Sequence, residues 1–258
     1  MSSLSHAIRI LRCFSAEEPE LRLSEISERL HLSRSYTHEL LTALTEEGLL
    51  GRSSASSKYR LGFGLFDLWH LALGNLKLSA TLPVMMELGQ SVGEDVSLGV
   101  RLEFEVIYPL QVNGPHEPRL DRVDIDVQRH SPLHCTASGK VLLAWEPPRE
   151  IRRVIRHGLP AFTPQTITDP EQFLRELEEV RRVGYASTDG ERRPLRRSIS
   201  APVRDPHGGI VAALTVGAPA HRMPQSHVAG VAEALIEASD RISRALTESA
   251  ITELSAAI

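Results

Sequence analysis

The stretch from Leu23 to Gly48, LSEISERLHLSRSYTHELLTALTEEG, limits most strongly what this chain can fold into. Ser24 is a suitable N-cap, because its hydroxyl can accept a hydrogen bond from a free amide of the first helical turn. Ile26 and Leu30 follow at helical spacing. The pattern predicts a short helix, with a second one after a turn of about three or four residues, as in a helix-turn-helix.

The second helix has a buried face and a polar start. Ser33 is suited to cap it and Gly48 to end it, and one face carries the apolar stripe Thr37, Leu40, Leu41 and Leu44. Its first turn carries Arg34, Ser35 and Tyr36, which we expect to point away from that stripe. Such side chains can contact base edges in a DNA major groove. An ordinary pair of amphipathic helices is the alternative interpretation.

A short hairpin, here called the wing, is predicted in the following sequence GRSSASSKYRLG. Arg52, Lys58 and Arg60 are the only charged residues between positions 48 and 66. A positive hairpin beside a recognition helix can hold phosphates and add affinity without reading sequence. The sequence therefore predicts a winged helix-turn-helix that binds double-stranded DNA.

The overall charge of the chain does not indicate nucleic-acid binding. The 258 residues carry a net charge of −4, and the first 62 residues hold eight basic and eight acidic side chains. A positive electrostatic field that attracts DNA must therefore come from how the charges are placed, with the acidic side chains on the face of the domain that points away from DNA. A length of 258 residues, of which 41% are hydrophobic and 24% charged, suits a globular protein of two domains.

Two features indicate the cellular compartment. Cys13 and Cys135 cannot form a disulfide framework and suit a reducing environment. No apolar run is long enough to span a bilayer, and no secretory signal is visible. We expect a cytoplasmic protein with no membrane partner.

The segment after the wing, GFGLFDLWHLALGNLKL, predicts a linker helix whose apolar stripe is Leu65, Leu68, Trp69, Ala72 and Leu76. It carries more apolar residues than a solvated linker tolerates, so it needs a partner. That partner is either its own C-terminal domain or, as we favour, a second subunit.

From Thr81 onward the pattern becomes a mixture of helices and strands. Strands are predicted over VSLGV, EVIY, residues 119–127, 185–188, 198–203 and 210–216, with a turn at DPHGG. Helices are predicted over 83–92, 138–143, 171–183 and 225–257. We therefore expect an α+β protein with a winged helix-turn-helix over 1–62, a linker helix over 63–80 and a sensor-type domain with an antiparallel sheet over 81–258.

Enzyme signatures fail on spacing. Ser138-Gly139-Lys140 lacks the upstream glycine and the following hydroxyl of a phosphate-binding loop, and the aspartates at 121, 124 and 126 lack the glycine and glutamate of a calcium loop. We expect no catalytic residues, no metal and no cofactor. Two rivals are an enzyme with Cys135 as nucleophile and an accessory N-terminal module, and an adaptor whose helix over 65–76 holds a different protein.

A small-anion site is predicted at the turn HCTASG, residues 134–139. Its small residues lead into a helix N-terminus, whose free amides favour a carboxylate. Ser198 and Thr215 are hydroxyls on two predicted strands. The alternative is an ordinary capped loop.

The chain resembles IclR-type transcriptional regulators over nearly its whole length. The resemblance rests on AIRILRCF, the helix-turn-helix stretch, the wing ending YRLG, then SPLHCTASGKVLLA, FTPQTITD, VRRVGYASTDGE and ISAPVRDPHGGIVAALTVGAP. It implies a winged helix-turn-helix, a linker helix and an effector domain resembling GAF and PAS sensors. It also implies dimers or tetramers on palindromic operators, and a small organic or aromatic acid as effector.

The resemblance also implies site residues. Glu39 stands where the family usually has Arg, so the operator sequence is open. The implied DNA contacts are Ser33, Arg34, Ser35, Tyr36, His38, Glu39, Arg52, Lys58 and Arg60.

The implied effector contacts are Ala137, Ser138, Thr188, Asp189, Ser198, Thr215 and Gly217. Thr188 stands where many relatives have Asp, for which Asp189 is a candidate substitute, and Ser198 stands where many have Cys. The loop over 192–197 holds four arginines, which either clamp an acidic effector or form a solvated edge.

Overall fold

The chain forms two compact units, residues 1–75 and 76–258. The structure is a computed structural model, and it describes residues 2–15, 17–53, 56–74, 77–116, 123–124 and 130–256. The N-terminal unit contains α1 (Ser3–Leu11), α2 (Leu23–Leu30), α3 (Arg34–Glu46), β1 (Leu50–Arg52), β2 (Tyr59–Leu61) and α4 (Gly64–Gly74).

Helices α2 and α3 form the predicted helix-turn-helix. Ser33 caps α3, accepting a hydrogen bond from the Tyr36 amide at 3.3 Å, and the stripe Thr37, Leu40, Leu41 and Leu44 is buried. The predicted cap of α2 is wrong. The helix already begins at Leu23, and its start is closed by the Glu25 carboxylate, which accepts from the Arg22 amide.

Helical periodicity predicts a support helix from Leu4 to Phe14 with a buried face of Leu4, Ala7, Ile8, Leu11 and Phe14. Helix α1 is that support helix, but its buried face is different. Ile10 is completely buried, and Ala7, Leu11 and Phe14 pack against the same cluster, whereas Leu4 is 72% exposed. Ile8 is also exposed, so the buried face is centred on Ile10, and Leu4 and Ile8 lie at or beyond its edge.

The wing is a two-stranded antiparallel hairpin of β1 and β2. Leu21 adds a bridge to it, exchanging two backbone hydrogen bonds with Tyr59 at 2.8 and 2.9 Å. Gly62 is required where the hairpin returns, because a Cβ atom there would lie 2.1 Å from the Gly48 carbonyl oxygen. These features confirm the winged helix-turn-helix.

Helix α4, together with Phe63 just before it, exposes apolar side chains. Phe63, Phe66, Leu68 and Leu71 are all more than half exposed, while Leu65 and Trp69 are half-buried. Of the predicted stripe, Leu76 and the side chain of Ala72 lie outside the described part of the chain.

The C-terminal unit is built on an antiparallel sheet, which confirms the α+β class. Its described elements are α5 (Leu78–Val92), β3 (Asp95–Leu102), β4 (Glu105–Val112), β5 (Val123–Asp124), β6 (His130–Pro132), α6 (Ala137–Ala144), α7 (Pro148–His157), α8 (Pro170–Val183), β7 (Ala186–Asp189), β8 (Arg196–Arg204), β9 (Ile210–Pro219), a 3₁₀ turn (Gln225–His227) and α9 (Val228–Ala256). The described strands run in the order β5-β4-β3-β9-β8-β7, with β6 paired to β4.

One helix of this unit was not predicted, and one predicted strand lies mostly outside the described residues. Helix α7 was missed, although Ile151, Val154 and Ile155 recur at helical spacing and Pro148 stands at its start. The strand predicted over 119–127 lies outside the described residues, except for the short β5.

The sheet separates two cores. Along β9, Leu214 and Val216 face a core with α5 and α9, while Ala213 faces a second core with α6, α7 and α8. Alternation along the strand therefore leaves Thr215 and Gly217 on the α6 side of the sheet. None of the described helices is long and apolar enough to cross a membrane.

Candidate functional site

The start of α3 presents polar side chains on the surface of the N-terminal unit. Ser33, Arg34, Ser35, His38 and Glu39 are exposed. Arg34 and Ser35 occupy the first turn, and His38 and Glu39 follow one turn later, so the exposed face carries donors and acceptors that can reach base edges. Glu39 can accept from cytosine N4 but cannot hold a phosphate.

Tyr36 differs from the other predicted DNA contacts. Its ring packs against the helical core, and its hydroxyl lies 3.4 Å from Nδ1 of His6 in α1. The expectation that Tyr36 points away from the buried side of α3 is therefore wrong in part: the ring is half-buried and its outer end contacts α1.

The wing carries the three predicted cations. Arg52 and Arg60 are exposed and Lys58 is half-buried, and the Arg52 guanidinium lies 5.6 Å from the centre of the Tyr59 ring. The acids are not confined to the far face, because the Glu20 carboxylate lies 3.5 Å from the Ser56 hydroxyl of the wing. The positive field of the wing is therefore partly offset.

A cavity of about 500 Å³ lies against the sheet of the C-terminal unit. Its floor is one transverse row of four paired residues on β7, β8, β9 and β3, namely Thr188, Ser198, Gly217 and Asp95. Thr215, Ser97 and Gln111 line it from the adjacent row. The floor is thus made of short polar side chains.

The first turn of α6 forms another wall. Thr136 caps the helix, accepting from the Gly139 amide at 3.1 Å, and Ala137 and Ser138 line the cavity. The Tyr108 and Ser138 hydroxyls are 2.7 Å apart, and burial raises the pKa of Tyr108, so its hydroxyl stays protonated. This turn supplies amides and hydroxyls to an anion.

Six of the seven predicted effector contacts therefore meet at one cavity: Ala137, Ser138, Thr188, Ser198, Thr215 and Gly217. Asp189 does not line it. Because side chains alternate along β7, Asp189 is exposed next to the buried Thr188 and pairs with Arg197 instead. Asp189 thus cannot replace an aspartate at position 188.

Other lining residues were missed. Tyr108, Ser97 and Gln111 come from β3 and β4, and the pairing of β3 with β9 that brings them to the site has no local signal. Arg192, Arg193 and Arg196 of the arginine-rich loop also line the cavity, and the side chains of Arg193 and Arg196 are exposed, so the loop is both a solvated edge and part of the cavity wall.

The environment of Cys135 opposes a nucleophilic role. Burial raises the pKa of its thiol to about 12, so the thiolate is disfavoured at neutral pH. The neighbouring His134 donates from Nε2 to the Pro160 carbonyl oxygen at 3.0 Å, and burial lowers its pKa. Within the described residues, no group of three or more His, Cys, Asp or Glu side chains is arranged to hold a metal; the aspartates at 121 and 126 and the side chain at 124 lie outside them.

Comparisons with known proteins agree with this architecture. The family described as "Bacterial transcriptional regulator IclR C-terminal" matches residues 70–244, and the IclR helix-turn-helix domain matches residues 3–54. The HTH-type transcriptional regulator XynR of Escherichia coli strain K12 is 29% identical over 249 residues, covering 95% of this chain and 97% of XynR.

Solved structures show the same fold. An IclR transcriptional regulator from Silicibacter sp. TM1040 superposes with a TM-score of 0.82 at 27% identity, covering 95% of this chain and 96% of that one. An IclR homologue from Microbacterium hydrocarbonoxydans, complexed with 4-hydroxybenzoate, has a TM-score of 0.77 at 30% identity, with coverage of 95% and 99%.

The relatives are regulators and not enzymes, which confirms the expectation of a non-enzymatic protein. A helix-turn-helix and an effector domain, each matched in its own part of the chain, show that this protein belongs to the IclR family of DNA-binding transcriptional regulators.

Proposed function

We propose that this protein acts in the cytoplasm as a ligand-responsive regulator that binds a palindromic operator and senses a small organic or aromatic acid. One observation carries the proposal: the first turn of α6, the hydroxyl-lined sheet and three arginines converge on one cavity of about 500 Å³. That volume suits a small ligand, and the donors suit an acidic group.

On the DNA side, α3 enters the major groove and the wing contacts phosphates. Ser33, Arg34, Ser35, His38 and Glu39 are exposed on one end of α3, which supports contact with bases and the adjacent backbone. Tyr36 contributes indirectly, because its hydroxyl lies against His6 and holds this end of α3 on α1. Arg52, Lys58 and Arg60 neutralise phosphates. The DNA-binding domain spans residues 1–62.

The protein works as a dimer, or as a tetramer made of two dimers, through the linker segment over residues 63–80, in which helix α4 ends at Gly74 and α5 begins at Leu78. The exposed apolar side chains at Phe63, Phe66, Leu68 and Leu71 support this assignment, because such a patch on one helix is more apolar than a solvated surface requires. A two-fold dimer presents two copies of α3 to a two-fold operator.

The effector domain over residues 81–258 takes the acid at Ala137 and Ser138, with Thr188, Ser198, Thr215 and Gly217 shaping the floor. The homologue complexed with 4-hydroxybenzoate supports an acid as the ligand. Binding favours one arrangement of the two units over another and so changes how two recognition helices meet the operator.

The test combines operator selection with ligand screening on the purified full chain. DNA selected from a genomic library is expected to contain a two-fold symmetric sequence. A thermal-shift panel is expected to identify one acid that binds the protein, and that acid is expected to change the protein concentration needed for half-maximal DNA binding at least fivefold. The Arg34→Ala variant serves as the control for specific binding. Selection of no common sequence, or no response to any acid, would refute the proposal.

A further inference from the structure

We propose that Arg192, Arg193 and Arg196 form a second anion subsite in the effector cavity, so that the effector carries two acidic groups. One group binds at the first turn of α6 and the other at the arginine loop. The inference rests on the proposed acid-sensing function and narrows the ligand to diacids, that is, dicarboxylates or acids with a second carboxylate-like anionic group.

The charge of the cavity is the first argument. Its described lining contains three arginines and one aspartate, Asp95, whose Oδ1 already accepts from the Gly114 amide at 2.8 Å. Arg192 is half-buried, whereas Arg193 and Arg196 are exposed, so the cavity wall carries a positive field that attracts anions from solvent. One carboxylate at the α6 turn leaves the charge of the loop unmatched, whereas a second acidic group neutralises it.

Two of the loop arginines, Arg192 and Arg196, lie at defined positions beside the cavity. The Arg192 guanidinium stacks 4.2 Å from the centre of the Phe162 ring, and its buried Nε makes no hydrogen bond to any described residue. Arg196 reaches over the sheet: a Cβ atom placed on Gly217 would lie 3.8 Å from its Nη2. Arg196 therefore presents donors over the floor, and Arg192 presents them beside the Phe162 ring.

The fourth arginine of the loop behaves differently. Arg197 is buried, pairs with Asp189 and donates from Nη1 to the Met223 carbonyl oxygen at 2.6 Å. This arginine fastens the loop to the rest of the fold. The division of three cavity-lining arginines and one structural arginine would not arise from a uniformly solvated edge.

A buried ion pair fixes the loop relative to α6. Lys140, completely buried in α6, contacts Glu191 at 2.6 Å and Glu176 at 2.9 Å. Thr163 and Thr166 donate to the carbonyl oxygens of Gly190 and Glu191 at 2.7 and 2.6 Å. Since Lys140 follows Ser138 by two residues and Glu191 precedes Arg192, the two anion subsites keep a fixed separation, which selects diacids by length.

The test uses calorimetry with matched acids on the full chain: benzoate against terephthalate, butyrate against succinate, and hexanoate against adipate. In the wild type, the best diacid is expected to bind at least tenfold more tightly than its monoacid. The Arg193→Gln/Arg196→Gln variant is expected to lose that preference while keeping monoacid binding. Arg152→Gln/Arg181→Gln, two exposed helix arginines with the same change of charge, is the control.

Each outcome decides the matter. The single variant Arg196→Gln, checked for an unchanged melting temperature without ligand, guards against misfolding of the double variant. Equal affinity for monoacid and diacid, or a preference that survives in the double variant, overturns the second subsite and leaves the acid-sensing proposal standing. Binding of no acid from either series overturns both.

Discussion

The Tyr108 hydroxyl lies 2.7 Å from the Ser138 hydroxyl and joins strand β4 to the first turn of helix α6. This contact holds the side chain of Ser138 at the cavity wall formed by the first turn of α6. The absence of a Cβ atom on Gly99 makes it possible, since a Cβ there would lie 2.7 Å from Val106 and 3.4 Å from the Ser138 Cβ. The sheet and the helix therefore meet without intervening side-chain bulk.

Replacing Tyr108 by Phe should weaken acid binding and lower the free energy of unfolding by about 1 kcal/mol, because one buried hydrogen bond is lost. Calorimetry and urea unfolding measure the two effects. Tyr185→Phe is the matched control, since Tyr185 packs against the core on the opposite side of the sheet. Wild-type acid affinity in Tyr108→Phe would contradict a role for this hydroxyl.

Replacing Lys140 by Met should destabilise the protein by about 3–5 kcal/mol, because Glu191 and Glu176 lose a buried cation. The double variant Lys140→Met/Glu191→Gln should recover part of that loss, since the uncompensated carboxylate is removed. Urea unfolding of both variants measures the difference. A double variant no more stable than Lys140→Met would show that the ion pair is not the cause.

The stability of the protein should fall as pH drops below about 6.5, in part through His134. Burial lowers the pKa of this histidine below its ordinary value of 6.5, so the unfolded chain binds a proton more readily than the folded chain in that window. His134→Gln should flatten the dependence of unfolding free energy on pH between 7 and about 5. A profile in His134→Gln as steep as that of the wild type would contradict this role.

Replacing Arg34 by Ala should weaken binding to the selected operator by about 1–3 kcal/mol if the side chain reads a guanine. Arg34→Lys separates the two possible roles, because Lys keeps the charge but loses the bidentate fork. Gel-shift titrations measure both variants. Full affinity in the alanine variant would remove Arg34 from the interface.

Replacing Arg60 by Ala should weaken binding to operator and random DNA alike, because a wing cation contacts phosphates and not bases. The slope of log affinity against log salt should become shallower by about one. Titrations at several salt concentrations on both DNAs provide the measurement. A selective loss on the operator would instead assign Arg60 to base recognition.

The helix-turn-helix could be predicted because its signals are local. The cap at Ser33 and the stripe from Thr37 to Leu44 lie within one helix, so periodicity and cap chemistry suffice. The buried face of α1 was assigned less well, because only contact with α2 and α3 decides between Ile8 and Ile10. Helix α7 was missed although its signal is local, since Ile151, Val154 and Ile155 lie on one helical face opposite charged residues.

The effector cavity could be predicted only in part. The small residues of the α6 turn are a local signal from which that wall could be predicted. The cavity residues on the strands were predicted from the family resemblance. Tyr108 and Ser97 depend on which strands are neighbours in the sheet, and the misassigned Asp189 depends on strand alternation. Pairing between distant strands is set by the whole fold and leaves no mark in a short window of sequence.

The row Thr188, Ser198, Gly217 and Asp95 assigns one floor position to each of four adjacent strands. A Cβ atom on Gly217 would meet Ser198 Oγ only at 3.5 Å, an ordinary contact, so a methyl group fits there without backbone movement. The depth of the cavity can accordingly be altered one strand at a time, by changing short side chains, while the pairing of the four strands stays intact.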